Sequence, residues 1–256
     1  MVEKLEITAC IVLYNENLEE LTKTINSFLS VPLQKKLFLV DNTAEMRFQN
    51  IFNNEEIEYI AIGKNIGFGP GHNVVIDKIK ETSNFHLILN PDVSFSKTVI
   101  PNLIQELKND VTLAMIAPKV LFPTGEHQYS CRRYPRFFEL IGRRFNFLRP
   151  FFTSKISRGK YKDKDLSNPF YAEYLAGCFH LYKTDDFIKL KGFDERYFLY
   201  MEDVDICKKV DAIGKNKMYY PKEEIVHVLK RGSLKNLTLF FRHSTSAIKY
   251  FLKWGF

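Results

Sequence analysis

The first half of the chain alternates short apolar runs with segments of helical period. Runs of strand length occupy residues 7–13, 37–40, 57–62 and 85–89. Between the first two runs, apolar side chains recur on one helical face, at Leu18, Leu21, Ile25, Phe28 and Leu29. This alternation is typical of a parallel sheet whose strands are joined by helical crossovers. The sequence therefore predicts an α/β fold with a Rossmann-like, parallel or mixed central sheet flanked by helices.

Local signals mark where several helices begin and end. Asn17 is placed to cap the first helix, and two glutamates follow it near the positive end of that helix. A second helix is predicted over residues 100–107, followed by an apolar strand over 113–118. Residues 124–167 show little period and are predicted to form an insertion over the active-site face. After Ala172 a second compact block begins, in which Gly214 can end a helix.

The net charge of +7 is concentrated in two segments. Residues 119–165 hold 12 Lys and Arg against 4 Asp and Glu, and residues 228–256 hold 6 against none. Both segments are also rich in aromatic residues, which suits a surface that meets anionic lipid or an anionic acceptor. A solvated basic face over core aromatic side chains is an equally good interpretation. No nucleic-acid partner is predicted.

The N-terminus and the cysteines indicate an intracellular setting. The first residues are acidic where a signal peptide would be basic, and no apolar run reaches 18 residues. We therefore expect the protein to stay in the cytosol. Four cysteines lie far apart without a CxxC spacing, and they are predicted to be buried and reduced: Cys10, Cys131, Cys178 and Cys207.

Polar residues follow two of the predicted strands. Asp41 and Asn42 come directly after one strand, where they could hydrogen-bond a base or a ribose, or could simply cap a turn. The loop at residues 64–73, KNIGFGPGHN, has three glycines that let backbone N–H groups approach a ligand. It matches neither GxGxxG nor a P-loop, so a dinucleotide or P-loop site is a poor fit.

Two residues offer metal ligands. Asp92, in the segment LNPDV at the end of a strand, presents the hard oxygen that Mg²⁺ or Mn²⁺ prefers when it also holds phosphates. A structural turn is the alternative. His227, on an otherwise apolar strand, could reach the same metal or could be a satisfied core histidine.

The strongest single signal is the acidic cluster of Glu202, Asp203 and Asp205 in GFDERYFLYMEDVD. Acidic residues stabilise the first turn of a helix through its macrodipole, but three carboxylates in four positions exceed what capping requires. If a helix begins here, Glu202 and Asp205 share a face and Asp203 lies on an adjacent one. A carboxylate desolvated beside Phe198 and Tyr200 would have a raised pKa and could act as a general base.

Seven segments, in this order along the chain, resemble the family 2 glycosyltransferases, especially their bacterial rhamnosyltransferase-like branch: IVLYNE, FLVDN, NIGFGPGHN, ILNPDV, YLAGCFHLYK, GFDERYFLYMEDVDICKKV and IVHVL. The resemblance covers residues 7–233 and implies the GT-A fold. It implies one domain over 1–233, with a nucleotide-binding part at about 1–120, a basic aromatic insertion at about 124–167 and an acceptor-binding, catalytic part at about 172–233. Residues 234–256 are predicted to form a basic amphipathic helix.

The resemblance also implies roles for single residues. The nucleoside and substrate positions would be Tyr14, Asn15, Asp41, Asn42, Asn65, Gly67, Asn73, Asn90 and Gly177. Asp92 matches the last carboxylate of the family's metal-binding DxD element, in which Asn90 replaces the first. This replacement makes His227 a more plausible further ligand. Asp203 matches the catalytic base, and Glu202 and Asp205 would orient it or bind acceptor hydroxyls.

The function implied is an inverting, Mg²⁺- or Mn²⁺-dependent sugar transfer from a nucleoside-diphosphate sugar. The predicted donor is dTDP-L-rhamnose, and the predicted acceptor is a lipid-linked saccharide of a bacterial surface polysaccharide, such as O-antigen or capsule, at the inner face of the cytoplasmic membrane. A catalytically silent nucleotide-sugar-binding or scaffold subunit is the alternative, favoured slightly by Asn90. A dinucleotide-dependent oxidoreductase is disfavoured, because no glycine follows the first strand.

Overall fold

A computed structural model describes residues 4–137, 157–229 and 237–255. Its strands, in chain order, are β1 (Leu5–Leu13), β2 (Lys35–Asp41), β3 (Ile57–Ala61), β4 (Ser83–Leu89), β5 (Val93–Phe95), β6 (Leu113–Leu121), β7 (Cys131–Arg132), β8 (Phe170–Tyr171), β9 (Tyr174–Leu175), β10 (Phe179–Lys183) and β11 (Asn216–His227). Its helices are α1 (Leu18–Leu29), α2 (Phe68–Asn73), α3 (Ile76–Ile79), α4 (Val99–Asn109), α5 (Thr184–Lys189), α6 (Glu202–Ala212) and α7 (Leu237–Trp254).

The central sheet is mixed, and the predicted α/β class is confirmed. In the described part of the chain the order is β3-β2-β1-β4-β10-β6-β11-β5, with β8 beside β11. Strands β1 to β4 are parallel, as the alternation predicts. Strand β10 enters antiparallel between β4 and β6, so its first residues lie at the edge where β4 ends. Strands β7 and β9 form a separate antiparallel pair.

The two faces of the sheet are buried by different helices. Along β1, Ile7, Ala9, Ile11 and Leu13 face a core that α1 and α4 cover. The alternate residues Cys10 and Val12 face a second core, to which α5 and α6 contribute. Successive side chains point to opposite faces of the sheet, and because both faces are covered, the second half of β1 is apolar on both sides.

Details of the predicted elements are also confirmed. The Asn17 side chain accepts a hydrogen bond from the Glu20 N–H at 3.1 Å and so caps α1. Helix α6 begins at Glu202, and Gly214 follows its end with a φ of 71°. The four cysteines are free and buried.

A third, smaller core joins α7 to the segment before α6. In it, Tyr250 and Phe251 of α7 pack with Tyr197, Met201 and Val204. Residues 234–236 and 256 of the predicted C-terminal helix lie outside the described residues. Residues 138–156 of the predicted insertion lie outside them as well. The predicted boundaries between functional parts of the chain stay predictions.

Candidate active site

A cavity lies at the edge where the parallel strands end. It has a volume of about 380 Å³ and is lined by Tyr14 and Asn15 after β1, Asn42 after β2, and Asn65 of the glycine-rich loop. Carboxyl ends of parallel strands meet at one edge of a sheet, which is why residues distant in sequence share this cavity. The structure therefore brings together four of the predicted nucleoside-binding residues.

Asp41, predicted beside them, lies behind this cavity. It is fully buried, and its Oδ1 accepts hydrogen bonds at 2.7 Å from both the N–H and the hydroxyl of Thr43. The hydroxyl of Tyr59 donates to the other oxygen. Asp41 therefore holds the end of β2, and its carboxylate does not line the cavity.

Gly67 and Asn73 connect the glycine-rich loop to the segment before α6. Gly67 has a φ of 101°, and a Cβ there would collide with the carbonyl oxygen of Phe198. The N–H of Phe68 donates to the same oxygen at 3.1 Å. The side chain of Asn73 donates to the Phe193 carbonyl and accepts from its N–H, both at 2.9 Å. These two residues join the halves of the chain and do not line the cavity.

Asp92, His227 and Asn90 meet at the same edge of the sheet. His227 Nε2 lies 3.3 Å from Asp92 Oδ1 and 3.4 Å from Asn90 Nδ2. Strand β11 runs antiparallel to β5, with His227 opposite Val93, which explains the proximity. The Nδ1 atom of His227 lies 3.1 Å from Oε1 of Gln128, which orients the ring.

These residues fit a divalent cation that also binds substrate phosphates. Asn90 Oδ1 is buried with no hydrogen-bond partner in the described part of the chain, so it has an oxygen lone pair to offer. No group of three His, Cys, Asp or Glu side chains there could hold a metal alone. A cation would thus be held by Asp92, His227 and the Asn90 amide, with phosphate oxygens completing its shell, and it would supply positive charge to a diphosphate.

Charge at this edge is already balanced within the protein. Burial by itself lowers the pKa of His227, but Cys178 and Asp92 raise it more, and the resulting pKa is about 10. The imidazole is therefore protonated beside Asp92 at neutral pH. Since histidine binds metals as neutral imidazole, loading a cation here would release a proton.

Asp203 is held by donors on three sides. Its Oδ2 accepts from the hydroxyl of Tyr174 at 2.9 Å and from the N–H of Gly177 at 3.2 Å, and its Oδ1 accepts from the Val204 N–H at 2.9 Å. A Cβ on Gly177 would lie 3.0 Å from the Asp203 Cβ, so only glycine allows this approach without displacement. The preceding Met201 has a φ of 70°, which turns the chain sharply into α6.

Glu202 differs from its neighbour. It is buried, and its Oε2 has no hydrogen-bond partner among the described residues. Burial, and after it the charge of Asp203, raises the pKa of Glu202 well above its usual range. The raised pKa predicted for this cluster is thus found at Glu202. Its environment therefore favours the protonated form of Glu202, and neighbouring carboxyl groups with such different environments are typical of catalytic sites.

Asp205 does not line the first cavity or the one that opens over Asp203. It is fully buried, and the ammonium of Lys253 donates to its two oxygens at 2.8 and 2.9 Å. The indole N–H of Trp254 and the hydroxyl of Tyr197 donate to it at 2.7 and 3.3 Å. The expectation was that Asp205 orients the base or binds acceptor hydroxyls; the second role is corrected, because its side-chain partners come from α7 and from Tyr197 before α6.

A second cavity opens over Asp203. It has a volume of about 170 Å³, and six of its lining residues are Arg132, Tyr174, Tyr200, Glu202, Asp203 and His243. This cavity combines a carboxylate, cations and aromatic faces. It suits a polar, ring-shaped ligand.

A family model described as "Glycosyl transferase family 2" matches residues 8–190. The chain belongs to this family. It is a glycosyltransferase, as the resemblance predicted. The match ends before α6, so the assignment of Asp203 depends on the geometry above and on the resemblance.

Two curated relatives of the chain are rhamnosyltransferases. Rhamnosyltransferase WbbL of Escherichia coli (strain K12) is 24% identical over 84% of the chain and 81% of its own length. The N-acetylglucosaminyl-diphospho-decaprenol L-rhamnosyltransferase of Mycobacterium tuberculosis (strain CDC 1551 / Oshkosh) is 26% identical over 73% of the chain. The chain spans 62% of the length of that relative.

Solved glycosyltransferase structures share the GT-A fold. GalNAc-T7, with UDP, GalNAc and Mn²⁺, has a TM-score of 0.67 at 14% identity over 90% of this chain and 44% of its own. The mannosyltransferase PcManGT from Pyrobaculum calidifontis, with GDP-Man and Mn²⁺, has a TM-score of 0.63 at 14% identity over 98% of this chain and 64% of its own. The predicted GT-A fold is confirmed.

Sequence reasoning missed Gln128, Arg132, His243 and Lys253. The first two lie in the aperiodic segment, for which the sequence predicts only an insertion. The other two lie in a helix for which the sequence pattern indicates only charge and amphipathicity. The lone tryptophan next to Lys253 is an available signal, because an indole N–H in a helix usually finds a partner when it is buried.

Proposed function

We propose that this glycosyltransferase transfers a sugar from a nucleoside-diphosphate sugar to an acceptor hydroxyl with inversion, using Asp203 as the base. One observation carries the proposal. The N–H of Gly177 donates to Asp203, and the carbonyl of the next residue, Cys178, accepts from the Asn90 N–H at 2.9 Å. Two adjacent residues thus link the proposed base to the strand edge where Asn90 and Asp92 lie, which supports a donor sugar bound between them.

The proposed reaction is a single displacement. Asp203 takes the proton of the acceptor hydroxyl as its oxygen attacks the anomeric carbon, and the bond from that carbon to the diphosphate breaks. Tyr174 and Gly177 hold the carboxylate in position, so its geometry need not reorganise during attack. Protonated Glu202 keeps a second negative charge away from Asp203.

We infer dTDP-L-rhamnose as the donor, supported by the rhamnosyltransferase activity for which both curated relatives are named. The cavity beside Tyr14 and Asn42 would take the nucleoside. Mg²⁺ or Mn²⁺ at Asp92 and His227 is supported by the Mn²⁺ present in the two solved structures.

The donor and the activity are tested together. Thermal shift is measured with a panel of nucleotide sugars, with and without Mn²⁺, and transfer of labelled sugar is then followed. We expect stabilisation by dTDP-L-rhamnose in Mn²⁺ and transfer to a saccharide acceptor, because a ligand that binds only the native state raises apparent stability. Stabilisation without transfer to any acceptor would favour the silent-scaffold alternative. Stabilisation by none of the panel would contradict the donor assignment.

We propose a lipid-linked saccharide as the acceptor, in the synthesis of a bacterial surface polysaccharide. The support is the mycobacterial relative, whose name includes a diphospho-decaprenol. The described residues contain no helix long and apolar enough to span a membrane. Contact with such an acceptor would then be peripheral, at the cytoplasmic face.

Helix α7 supports this peripheral contact. Its outer face exposes Phe241, Ile248 and Leu252, whose exposed fractions are 65%, 55% and 73%. Residues 228–256 contain no acidic side chain. An apolar face beside an all-cationic segment suits an anionic bilayer surface.

Vesicle co-sedimentation tests the membrane contact. Replacing Phe241, Ile248 and Leu252 together with serine should weaken binding to vesicles with anionic lipid by about 100-fold, because each side chain loses apolar burial in the interface. Val111→Ser is the matched control, since Val111 is 77% exposed on another surface. Equal binding by the triple variant and the control would contradict the assignment of this face.

A further inference from the structure

Arg132 lines the cavity over Asp203 and carries a positive charge. Within residues 4–137, 157–229 and 237–255, its guanidinium has no carboxylate partner. Its Nε donates to the Tyr129 carbonyl at 2.9 Å, and the structure gives it no salt bridge there. The adjacent Arg133 is different, because it forms paired hydrogen bonds to Asp163 at 2.7 and 2.9 Å. Arg133 is therefore neutralised within the protein, whereas the Arg132 guanidinium still has donors to offer.

The backbone places Arg132 next to the proposed base. In the β7–β9 pair, Arg132 stands directly opposite Tyr174. The hydroxyl of Tyr174 donates to Asp203 at 2.9 Å. Directly opposite residues of an antiparallel pair have neighbouring side chains, so the guanidinium and the carboxylate share one wall of a cavity of about 170 Å³.

A neutral sugar does not require such a charge. The carboxyl and aromatic side chains of this cavity can recognise the hydroxyl groups of a sugar. An unpaired guanidinium is suited instead to a phosphate, because its forked N–H donors can bind two phosphate oxygens at once. His243 also lines the cavity, with its ring packed edge-on against Tyr200.

We propose that Arg132 binds the diphosphate of the acceptor and so selects acceptors that carry this group on the sugar that is glycosylated. This inference rests on the proposed function for its substrate class. In such an acceptor the attacking hydroxyl and the diphosphate stand on the same ring, so one ligand can reach Asp203 and Arg132 together. Arg132 is accordingly a specificity residue that does not touch the reacting bond.

The first arm of the test compares two acceptors with the same saccharide, one bearing an alkyl diphosphate and one an uncharged alkyl group. Arg132→Gln should lower kcat/KM for the diphosphate acceptor by about 10- to 100-fold, the range for a charge-assisted hydrogen bond. Its kcat/KM for the uncharged acceptor should stay within about twofold. Arg132→Lys should recover part of the loss because it keeps the charge.

Lys80→Gln is the matched control, since it removes one charge from an exposed position outside both cavities. It should change neither acceptor's rate. An equal loss on both acceptors in Arg132→Gln would overturn the proposal, because it would indicate a general effect on the base.

The second arm does not depend on transfer. A short alkyl diphosphate is titrated calorimetrically into protein whose donor cavity is saturated with a nucleoside diphosphate. Wild-type protein should bind it, and Arg132→Gln should bind it at least ~10-fold more weakly. Absence of alkyl diphosphate binding to the wild-type protein would overturn the proposal. A lower nucleotide affinity of Arg132→Gln than of the wild type would also overturn it, because Arg132 would then act in the donor cavity. If no sugar is transferred but this binding depends on Arg132, the proposed reaction fails and the anion site stands.

Discussion

The proposed donor cavity beside Asn42 and the proposed acceptor cavity over Asp203 are built in different ways. In the donor cavity, Tyr14 directly follows β1 and Asn42 directly follows β2, where the Asn42 N–H donates to the Leu13 carbonyl at 3.0 Å. The acceptor cavity takes Asp203 from α6, Arg132 from the β7–β9 pair and His243 from α7. The first is thus fixed by sheet geometry, and the second by packing between distant segments. Substitutions should therefore separate donor binding from acceptor turnover.

Asp203→Asn should give the sharpest separation. Loss of a general base typically lowers kcat by 10²- to 10⁴-fold, and we expect about 10³-fold here. Donor affinity, measured by calorimetry, should be unchanged, because Asp203 does not line the donor cavity. Near-normal turnover would show that another group accepts the proton.

Lys253→Met should weaken the packing that supports the acceptor side. It leaves the fully buried Asp205 without its ammonium partner, and we expect a loss of about 2 kcal/mol in the free energy of unfolding. Denaturant titration measures this loss, and kcat/KM for the acceptor should fall while nucleotide affinity holds.

Two variants control that result. Lys249→Met removes a cation from the same helix whose hydrogen bond among the described residues goes to the Arg196 carbonyl, a neutral group, and it should cost less than about 1 kcal/mol. Asp205→Asn combined with Lys253→Met should recover much of the stability, because neither charge is then left alone. A full loss in the double variant would contradict the importance of the ion pair.

Gly177→Ala should have a smaller effect on the same side. The added Cβ would lie 3.0 Å from the Asp203 Cβ, so α6 or the loop must shift slightly. We expect about a 10-fold lower kcat, since small displacements of a base are costly in rate. Gly177 is not at a positive φ, so its new Cβ tests the contact with Asp203; Gly125→Ala, with a φ of 83° and nothing within 4 Å of its new Cβ, is the control for backbone strain without such a contact. A rate equal to that of the control would show that this contact does not position Asp203.

Glu202→Gln should change rate least, within about threefold, because glutamine resembles the protonated acid. Its effect should appear in stability. A buried acid whose pKa is raised in the folded state costs stability increasingly as pH rises above the ordinary carboxyl pKa toward the raised one. The variant lacks this cost, so its advantage in unfolding free energy should grow between pH 5 and pH 8, by at most about 1.4 kcal/mol per pH unit.

The exposed Glu126→Gln should show no such pH dependence. A parallel pH profile for Glu202→Gln and wild type, or a rate loss of about 100-fold, would show that Glu202 is ionised in the folded enzyme.

Much of the sheet could be predicted from the sequence, because a buried parallel strand is apolar along its whole length and ends in polar turns. The same logic predicted Asn42 at the edge where the parallel strands end, whereas Tyr14 and Asn15 were implied only by the family resemblance. The antiparallel entry of β10 could not be derived in this way, since an apolar pattern does not state strand direction. The contrast between Glu202 and Asp203 could not be predicted either, because adjacent residues of one type differ here only in burial and partners.

Contacts across long separations were also beyond the sequence patterns. Lys253 meets Asp205 from 48 positions away. Charge composition showed that the last segment is basic. Only the packing of α7 shows that Lys253 is the cation of this segment that pairs with the buried Asp205. The role of Asp203 as the base stays a prediction until its variant is measured.

The hydrogen bonds from Asn73 to Phe193 and from Phe68 to Phe198 have a consequence for protein engineering. They form a seam between the half that should bind the nucleotide sugar and the half that should bind the acceptor. Exchanging the acceptor half for that of a relative would separate groups that hydrogen-bond to each other in this chain. A chimera is therefore expected to fold only if the new half has backbone carbonyls that accept hydrogen bonds at the positions of Phe193 and Phe198. The alternative is to exchange residues 67–73 together with that half.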